Sequence, residues 1–207
     1  MDGNRRFAVF DFDGTLYRGD SLIDFACFLA GRRRFASAVL RSLPKLLAWK
    51  LGLCSNSTAK QCLFSHIFKG FDYDCFVEAG ERFASVINSE INPEVVAALE
   101  RHLRQGDTTV IATASMAEWI SPWAVSIGVD QVIATKPEVN DNRRLTGRFA
   151  TPNCHGAEKL RRISQAIPRL DFALTTVYTD SMADRPLLDA AGHRFLINKQ
   201  GDITPMP

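Results

Sequence analysis

The sequence predicts an α/β fold, in which a parallel β-sheet carries helices on both faces and one long helical segment is inserted after the first strand. Short runs of β-branched and aromatic residues alternate along the chain with segments whose apolar residues recur every three or four positions. This alternation is typical of parallel sheets with helical crossovers. Residues 21–91 break the alternation, because they contain only helix-like patterns.

The elements of the first half follow in order. Residues 6–11 predict a buried strand that ends in an acidic, glycine-bearing turn. Asn92 and Pro93 are typical of a helix start and predict a helix that runs to about Gln105. Between this strand and this helix, the spacing of apolar residues predicts four helical segments at 21–29, 35–53, 57–68 and 72–88.

The second half returns to alternating elements. Ser115 is the expected N-cap of the first helix there. A turn at 140–142 precedes residues 144–149, which predict a hairpin strand outside the main sheet. The remaining patterns predict strands at 108–113, 132–134, 175–179 and 194–197, and helices at 116–127, 156–167 and 186–191.

Composition excludes several classes of protein. A net charge of +2 is too small to indicate a nucleic-acid partner. Five scattered cysteines without a Cys-x-x-Cys pair indicate reduced thiols and a cytoplasmic location. Arg5 and Arg6 precede an apolar run that Asp11 interrupts at once, so we expect no signal peptide. The apolar stretch 35–54 contains three charged residues and a proline, which makes it a poor membrane span.

Acidic pairs follow two of the predicted strands. Asp11 and Asp13 come after the first strand, and Asp180 and Asp184 follow a later one. The carboxyl ends of parallel strands meet at one edge of a sheet, so these side chains are expected to converge. Carboxylates so close need a cation, a shared proton or distinct roles, and Mg²⁺ prefers oxygen ligands. The alternatives are an exposed acidic turn and a helix-capping aspartate.

A hydroxyl and a lysine lie between the acidic pairs in sequence. Thr113 follows an apolar run and precedes a helix start, where a hydroxyl and free backbone N–H groups suit a phosphate oxygen. Lys159 lies in the first turn of its helix. Taken alone, Thr113 fits a plain strand-to-helix turn better and Lys159 a surface lysine, but their order along the chain supports one phosphate site.

These motifs resemble those of the haloacid dehalogenase (HAD) superfamily. Asp11-Phe-Asp-Gly-Thr15 is similar to the first motif of the family, and Ile111-Ala-Thr-Ala-Ser115 is similar to the second. Lys159 is similar to the third motif, and Tyr178-Thr-Asp-Ser-Met-Ala-Asp184 to the fourth. The resemblance implies a Rossmann-like HAD core at residues 1–19 and 92–207. It also implies a helical C1 cap at residues 20–91.

The resemblance also implies roles for the site residues. Asp11 would be the nucleophile that forms an aspartyl-phosphate, and Asp13 the general acid and base. Dehalogenases of the superfamily lack the second aspartate, so Asp13 favours a phosphatase. Mg²⁺ would be bound by Asp11, the backbone carbonyl of Asp13, Asp180 and Asp184, the last directly or through water. The transferred phosphoryl group would be held by Thr113, Ala114 and Lys159.

Substrate specificity is less constrained by the sequence. The residues after the first motif are similar to the phosphoserine phosphatase-like branch, but the cap glutamate and arginine that bind phosphoserine are not evident. The expected substrate contacts are Arg18, Asp20, Ser115 and His155, although a solvated turn and a helix-start role are alternatives for Arg18, Asp20 and His155. A phosphotransferase or mutase, and a non-catalytic phosphoryl-binding module, remain open.

The apolar stretch 35–54 follows three arginines, Arg32 to Arg34. Such a segment fits either a membrane interface or a buried cap helix with a solvated basic end. The apolar cap and the chain length are similar to the phosphatidylglycerophosphatase C type. This resemblance implies a lipid-linked phosphate as substrate beside small-molecule esters, and peripheral contact with the inner membrane.

Overall fold

The main sheet has six strands in the order β3-β2-β1-β6-β7-β8, and the computed structural model describes it within residues 6–207. Residues 1–5, including Arg5 and the start of the predicted core, lie outside the described residues. The first five strands in this order are parallel, and β8 pairs with β7 in the antiparallel direction. The strands are β1 Phe7–Phe10, β2 Thr108–Met116, β3 Gln131–Thr135, β4 Pro137–Val139, β5 Leu145–Phe149, β6 Thr175–Thr179, β7 His193–Ile197 and β8 Ile203–Pro205.

Alternating side chains of the central strand pack on opposite faces of the sheet. Ala8 and Phe10 belong to the larger apolar cluster, whereas Val9 belongs to a second cluster on the other face. This period of two is what a strand buried on both faces requires. The predicted parallel sheet with helices on both faces is therefore confirmed. β4 and β5 form a separate two-stranded sheet, as predicted for 144–149.

The helical insertion after β1 is also confirmed, and it contributes to the larger apolar cluster. Gly31 separates the first two of its helices and has φ +81°, a conformation that glycine adopts without strain. The helices are α1 Ser21–Ala30, α2 Arg32–Lys50, α3 Asn56–Phe68, α4 Tyr73–Ser89, α5 Pro93–Arg104, α6 Ala117–Ser126, α7 Ala157–Ala166 and α8 Arg185–Ala190. Among residues 6–207, no helix has both the length and the apolar character to cross a membrane.

The insertion is packed firmly against the core through α4. A Cβ on Gly80 of α4 would overlap the backbone carbonyl oxygen of Glu118 in α6, so this close approach requires glycine. Nearby, the Trp119 ring stacks on Phe25 of α1 with 4.6 Å between centroids. Trp119 and Trp123 are both buried, which agrees with their expected place in the core. The division of the chain at residues 20 and 91 stays a prediction.

Two expected helix caps differ from the structure. Ser115 lies inside β2, and α6 begins only at Ala117, without a side-chain cap. The prediction of Ser115 as N-cap is wrong because its hydroxyl bonds to a side chain of another element. Asn92 occupies the N-cap position of α5, yet its side-chain amide donates to the carbonyl of Gly201 and not to the helix.

Candidate active site

A cavity of about 300 Å³ opens at the carboxyl ends of the parallel strands. Side chains of the core line one part of it, and side chains from α1, α2 and α3 line the rest. The structure thus brings together most of the predicted site residues from distant parts of the sequence. Those that line the cavity are Asp11, Asp13, Asp20, Ala114, His155, Lys159 and Asp180.

Lys159 lies between two carboxylates at the bottom of the site. Its buried ammonium is 2.7 Å from Oδ2 of Asp11 and 2.6 Å from Oδ2 of Asp184. Burial alone would lower the pKa of Lys159, but the two carboxylates outweigh it and raise the pKa above its usual value. The lysine therefore stays charged and offsets the negative charge of Asp11.

Asp11 is a partly buried carboxylate in an acidic environment. Burial raises the pKa of its carboxyl to about 7, the Asp184 and Asp180 carboxylates add to the rise, and Lys159 opposes it. The backbone N–H of Phe12 donates to Oδ1 of Asp11 over 2.7 Å. These contacts fix the carboxylate at the end of β1, with its remaining surface toward the cavity.

Asp184 does not line the cavity, because its two oxygens are engaged behind Lys159. Oδ1 accepts a hydrogen bond from the backbone N–H of Gly156. Oδ2 accepts from Lys159 and, over 2.8 Å, from the hydroxyl of Thr179. This arrangement positions the lysine, and it favours contact with a metal through water over direct ligation.

Asp13 is held by hydrogen-bond donors from two elements. The backbone N–H of Ser21, at the start of α1, donates to Oδ1 over 2.8 Å. The hydroxyl of Ser115 donates to Oδ2 over 2.5 Å, and the Ser115 hydroxyl in turn accepts from that of Ser21. The indole N–H of Trp119 donates to the Ser21 hydroxyl and completes the chain. Asp13 is therefore held in place in the cavity that also contains Asp11.

Asp180 packs against the turn that follows β1, where it contacts Gly14 and Thr15. Its backbone N–H donates to the hydroxyl of Thr15 over 3.0 Å. Gly14 has φ +74°, and a Cβ at this position would overlap the Asp180 carboxylate. Glycine is thus required at position 14 both for the backbone conformation and for the space that Asp180 occupies. Partial burial, with Asp184 nearby, raises the pKa of Asp180.

The donor atoms at this edge of the sheet fit a magnesium ion. Among residues 6–207, no three acidic, histidine or cysteine side chains form a ready-made metal cage. Mg²⁺ does not require one, since it is usually held by one or two carboxylates and several waters. Asp11 and Asp180 supply two carboxylates on one cavity, and the mutual repulsion of acids there favours a cation.

The remaining predicted residues take different positions. Thr113 and Ser115 are buried, and the Thr113 hydroxyl accepts from the Ser115 backbone N–H. Neither side chain lines the cavity, so Ser115 acts on Asp13 and is not placed to touch a substrate. Arg18 is exposed and outside the cavity, contrary to its expected contact. Asp20 caps α1 with its carboxylate, which accepts from Leu22 and Ile23.

Sequence reasoning missed the cap residues that complete the cavity. Lys60 and Asn56, from the first half of α3, line it opposite the aspartates. Lys60 lowers the pKa of nearby Asp20, against the larger effect of burial and of Asp13. Leu46 and Trp49 of α2 add an apolar wall. No local motif marks these residues, because only the tertiary fold brings α2 and α3 over the strand ends.

A parallel sheet with an acid-lined cavity at its carboxyl edge, covered by inserted helices, defines the class as an α/β enzyme with a helical cap. The family model for haloacid dehalogenase-like hydrolases matches residues 8–189. The chain belongs to this family, and the predicted family and hydrolase class are confirmed.

Two similar proteins cover nearly the whole chain. The protein CicA of Caulobacter vibrioides is 30% identical over 195 residues, which span 92% of this chain and 86% of that protein. The crystal structure of a protein with unknown function from Bordetella pertussis Tohama I is also 30% identical. It superposes with a TM-score of 0.79 and covers 94% of this chain and 91% of that one.

The fold is also that of phosphoserine phosphatases. The apo form of one such enzyme superposes with a TM-score of 0.63 at 16% identity, over 92% of this chain and 85% of that one. This agrees with the predicted phosphoserine phosphatase-like fold. At this level of identity the likeness concerns the fold alone.

Proposed function

We propose that the protein is a magnesium-dependent phosphomonoesterase that forms an aspartyl-phosphate on Asp11. The observation that carries this proposal is the pairing of Asp11 with the buried ammonium of Lys159 in a cavity that also contains Asp13. Carboxylate and phosphate repel each other, so attack needs a positive field at the reacting atoms. Lys159 supplies part of it.

Each residue has a defined task in the two steps. A carboxylate oxygen of Asp11 attacks phosphorus, the bond to the leaving oxygen breaks, and Asp13 gives that oxygen a proton. Asp13 then takes a proton from water, whose oxygen attacks phosphorus and releases Asp11 and inorganic phosphate. A magnesium ion held by Asp11, the backbone carbonyl of Asp13 and Asp180 would polarise the phosphoryl oxygens. Asp184 positions Lys159, and Ala114 borders the phosphoryl position.

Two features support an ester with a substantial leaving group. Leu46 and Trp49 form an apolar wall, while Lys60 and Asn56 offer polar contacts on the cap side. These features fit a small or lipid-linked phosphate, including phosphatidylglycerophosphate. The five free cysteines support a reducing compartment, so we place the enzyme in the cytoplasm, at the inner membrane when the substrate is a lipid.

The proposal is tested by phosphate release from a panel of esters. The panel contains an aryl phosphate, phosphoserine and phosphatidylglycerophosphate in detergent micelles, each with and without an acceptor alcohol. Release of inorganic phosphate at a rate independent of the alcohol supports hydrolysis. Transfer of the phosphoryl group to the alcohol would instead indicate a phosphotransferase. No turnover of any ester would favour a non-catalytic binding module. Much faster turnover of water-soluble esters would reject the lipid substrate.

Lys60→Ala is expected to reduce kcat/KM by about tenfold for esters that carry a second anionic group, since a charge-assisted hydrogen bond is lost. The aryl phosphate, which lacks this group, should be turned over almost as before. Steady-state kinetics on both substrates measure the difference. Lys69→Ala is the matched control, because Lys69 is exposed at the end of the same helix. An equal loss of kcat/KM on both substrates would exclude a role of Lys60 in substrate specificity.

A further inference from the structure

One face of α2 is apolar and open to solvent. Leu40, Leu43, Leu47 and the capping Leu51 are three or four residues apart, which places them along one side of the helix. We call these four residues the leucine stripe. Leu47 is 56% exposed and Leu51 73%, and Leu53 just beyond is 77% exposed. Contiguous exposed apolar surface of this kind is typical of an interaction site.

The alternative of a buried cap helix is wrong. Of the nineteen residues of α2, only Ala38 and Ser42 are buried. Their side of the helix faces α3, to which the Ser42 hydroxyl is joined through His66. The leucine stripe lies on the opposite side, because a helix advances 100° per residue. The stripe therefore contributes nothing to the interior of the protein.

Basic side chains border the leucine stripe on both sides. With 100° per residue, Arg32 and Lys50 fall on one side of it and Arg41 on the other, and Arg33 lies in line with Leu51. Residues 25–71 contain eight lysines and arginines and no acidic residue. An apolar stripe bordered by cations is the arrangement with which helices lie in the headgroup region of anionic bilayers.

The same helix borders the active site. Leu46 and Trp49 of α2 line the cavity, and Trp49 is also 40% exposed. With 100° per residue, Trp49 falls in line with Ala38 and Ser42, on the side of α2 away from the leucine stripe. A bilayer that covered the leucine stripe would thus lie across α2 from the cavity that contains Asp11.

We propose that the leucine stripe and its basic borders dock the protein on an anionic lipid bilayer, with α2 parallel to the surface. An apolar stripe alone would also suit a second copy of the chain, but two cationic borders brought together would repel. Nucleic acid would match the charge and leave the leucines exposed. Only an anionic bilayer matches both properties. A lipid-linked substrate rests on the proposed function, whereas the docking does not.

The test is co-sedimentation with vesicles of phosphatidylcholine, alone or mixed with phosphatidylglycerol. We expect binding to the mixed vesicles that weakens with added salt, and little binding to phosphatidylcholine alone. The triple variant Leu40→Gln, Leu47→Gln, Leu51→Gln should bind at least tenfold less. Each of Arg32→Gln, Arg41→Gln and Lys50→Gln should weaken binding about fivefold. Val125→Gln is the matched control, because Val125 is 72% exposed on α6, far along the chain from the stripe.

Two sets of variants separate catalytic activity from vesicle binding. Asp11→Asn protein should bind vesicles as the unmodified protein does, so an inactive enzyme does not weaken the inference. The leucine variants should hydrolyse the soluble aryl phosphate at an unchanged rate, since none of these leucines lines the cavity. Equal binding of the triple leucine variant, or equal binding to neutral and anionic vesicles, would overturn the proposal. So would sedimentation equilibrium that shows a dimer abolished by the leucine substitutions.

Discussion

Asp11→Asn is expected to reduce phosphate release by a factor on the order of 10⁴ or more, because the amide cannot serve as the nucleophile. The protein should stay folded. Burial raises the pKa of Asp11 to about 7, so a neutral side chain at this position removes a desolvated charge, and Lys159 keeps its contact with Asp184. Phosphate release and thermal unfolding followed by circular dichroism measure the two effects.

The matched control for this substitution is Asp141→Asn, which makes the same chemical change at an exposed position in the turn before β5. It should leave both the rate and the melting temperature unchanged. Full activity of the Asp11→Asn protein would reject the covalent mechanism. If the Asp11→Asn protein lost activity and also unfolded, the effect would be structural. The folding of the milder variant Asp11→Glu would then be compared.

Removal of magnesium is expected to stop hydrolysis of the aryl phosphate, because Lys159 alone does not neutralise both a phosphate dianion and the nearby acids. Excess EDTA should bring the rate to background, and added MgCl₂ should restore it. EDTA saturated with magnesium beforehand is the control and should have no effect.

Metal binding has a readout that does not depend on activity. A ligand that binds only the folded state stabilises it, by about 2.7 kcal/mol at a hundred times its Kd. MgCl₂ should therefore raise the melting temperature of the unmodified protein. Asp180→Asn should remove most of this shift, since one of two carboxylate ligands is lost. A rate indifferent to EDTA, with no change in melting temperature, would reject the metal site.

Much of the fold was predictable because its strands are buried on both faces. The run Phe7–Phe10 is apolar without interruption, Thr175–Thr179 consists of β-branched and aromatic residues, and an acidic residue follows each directly at the sheet edge. β4 and β8 were not predicted, since three residues are too few for a pattern. Both also contain proline, at Pro137 and Pro205, which argues against a strand in a sequence.

The chemistry of the site was predictable only for residues within motifs. Asp11, Asp13, Lys159 and Asp180 reach one cavity because strand ends and helix starts of a parallel sheet meet there. The place of Lys60 in the cavity was not predictable, since it depends on how α3 packs over the sheet. Ser115 was misassigned for a related reason. A serine between a strand and a helix is typical of an N-cap, but its contact with Asp13 comes from a residue 102 positions away.

The hydrogen-bond chain from Trp119 to Asp13 has a consequence for how this enzyme can evolve. Trp119 stacks on Phe25 in the aromatic interior, and through Ser21 and Ser115 it also sets the position of the Asp13 carboxylate. Selection for a well-packed interior and selection for the position of Asp13 therefore act on the same side chain. Drift at this position has to satisfy both demands at once, whereas Trp123, whose indole donates to Asn88 on α4, is free of the second demand.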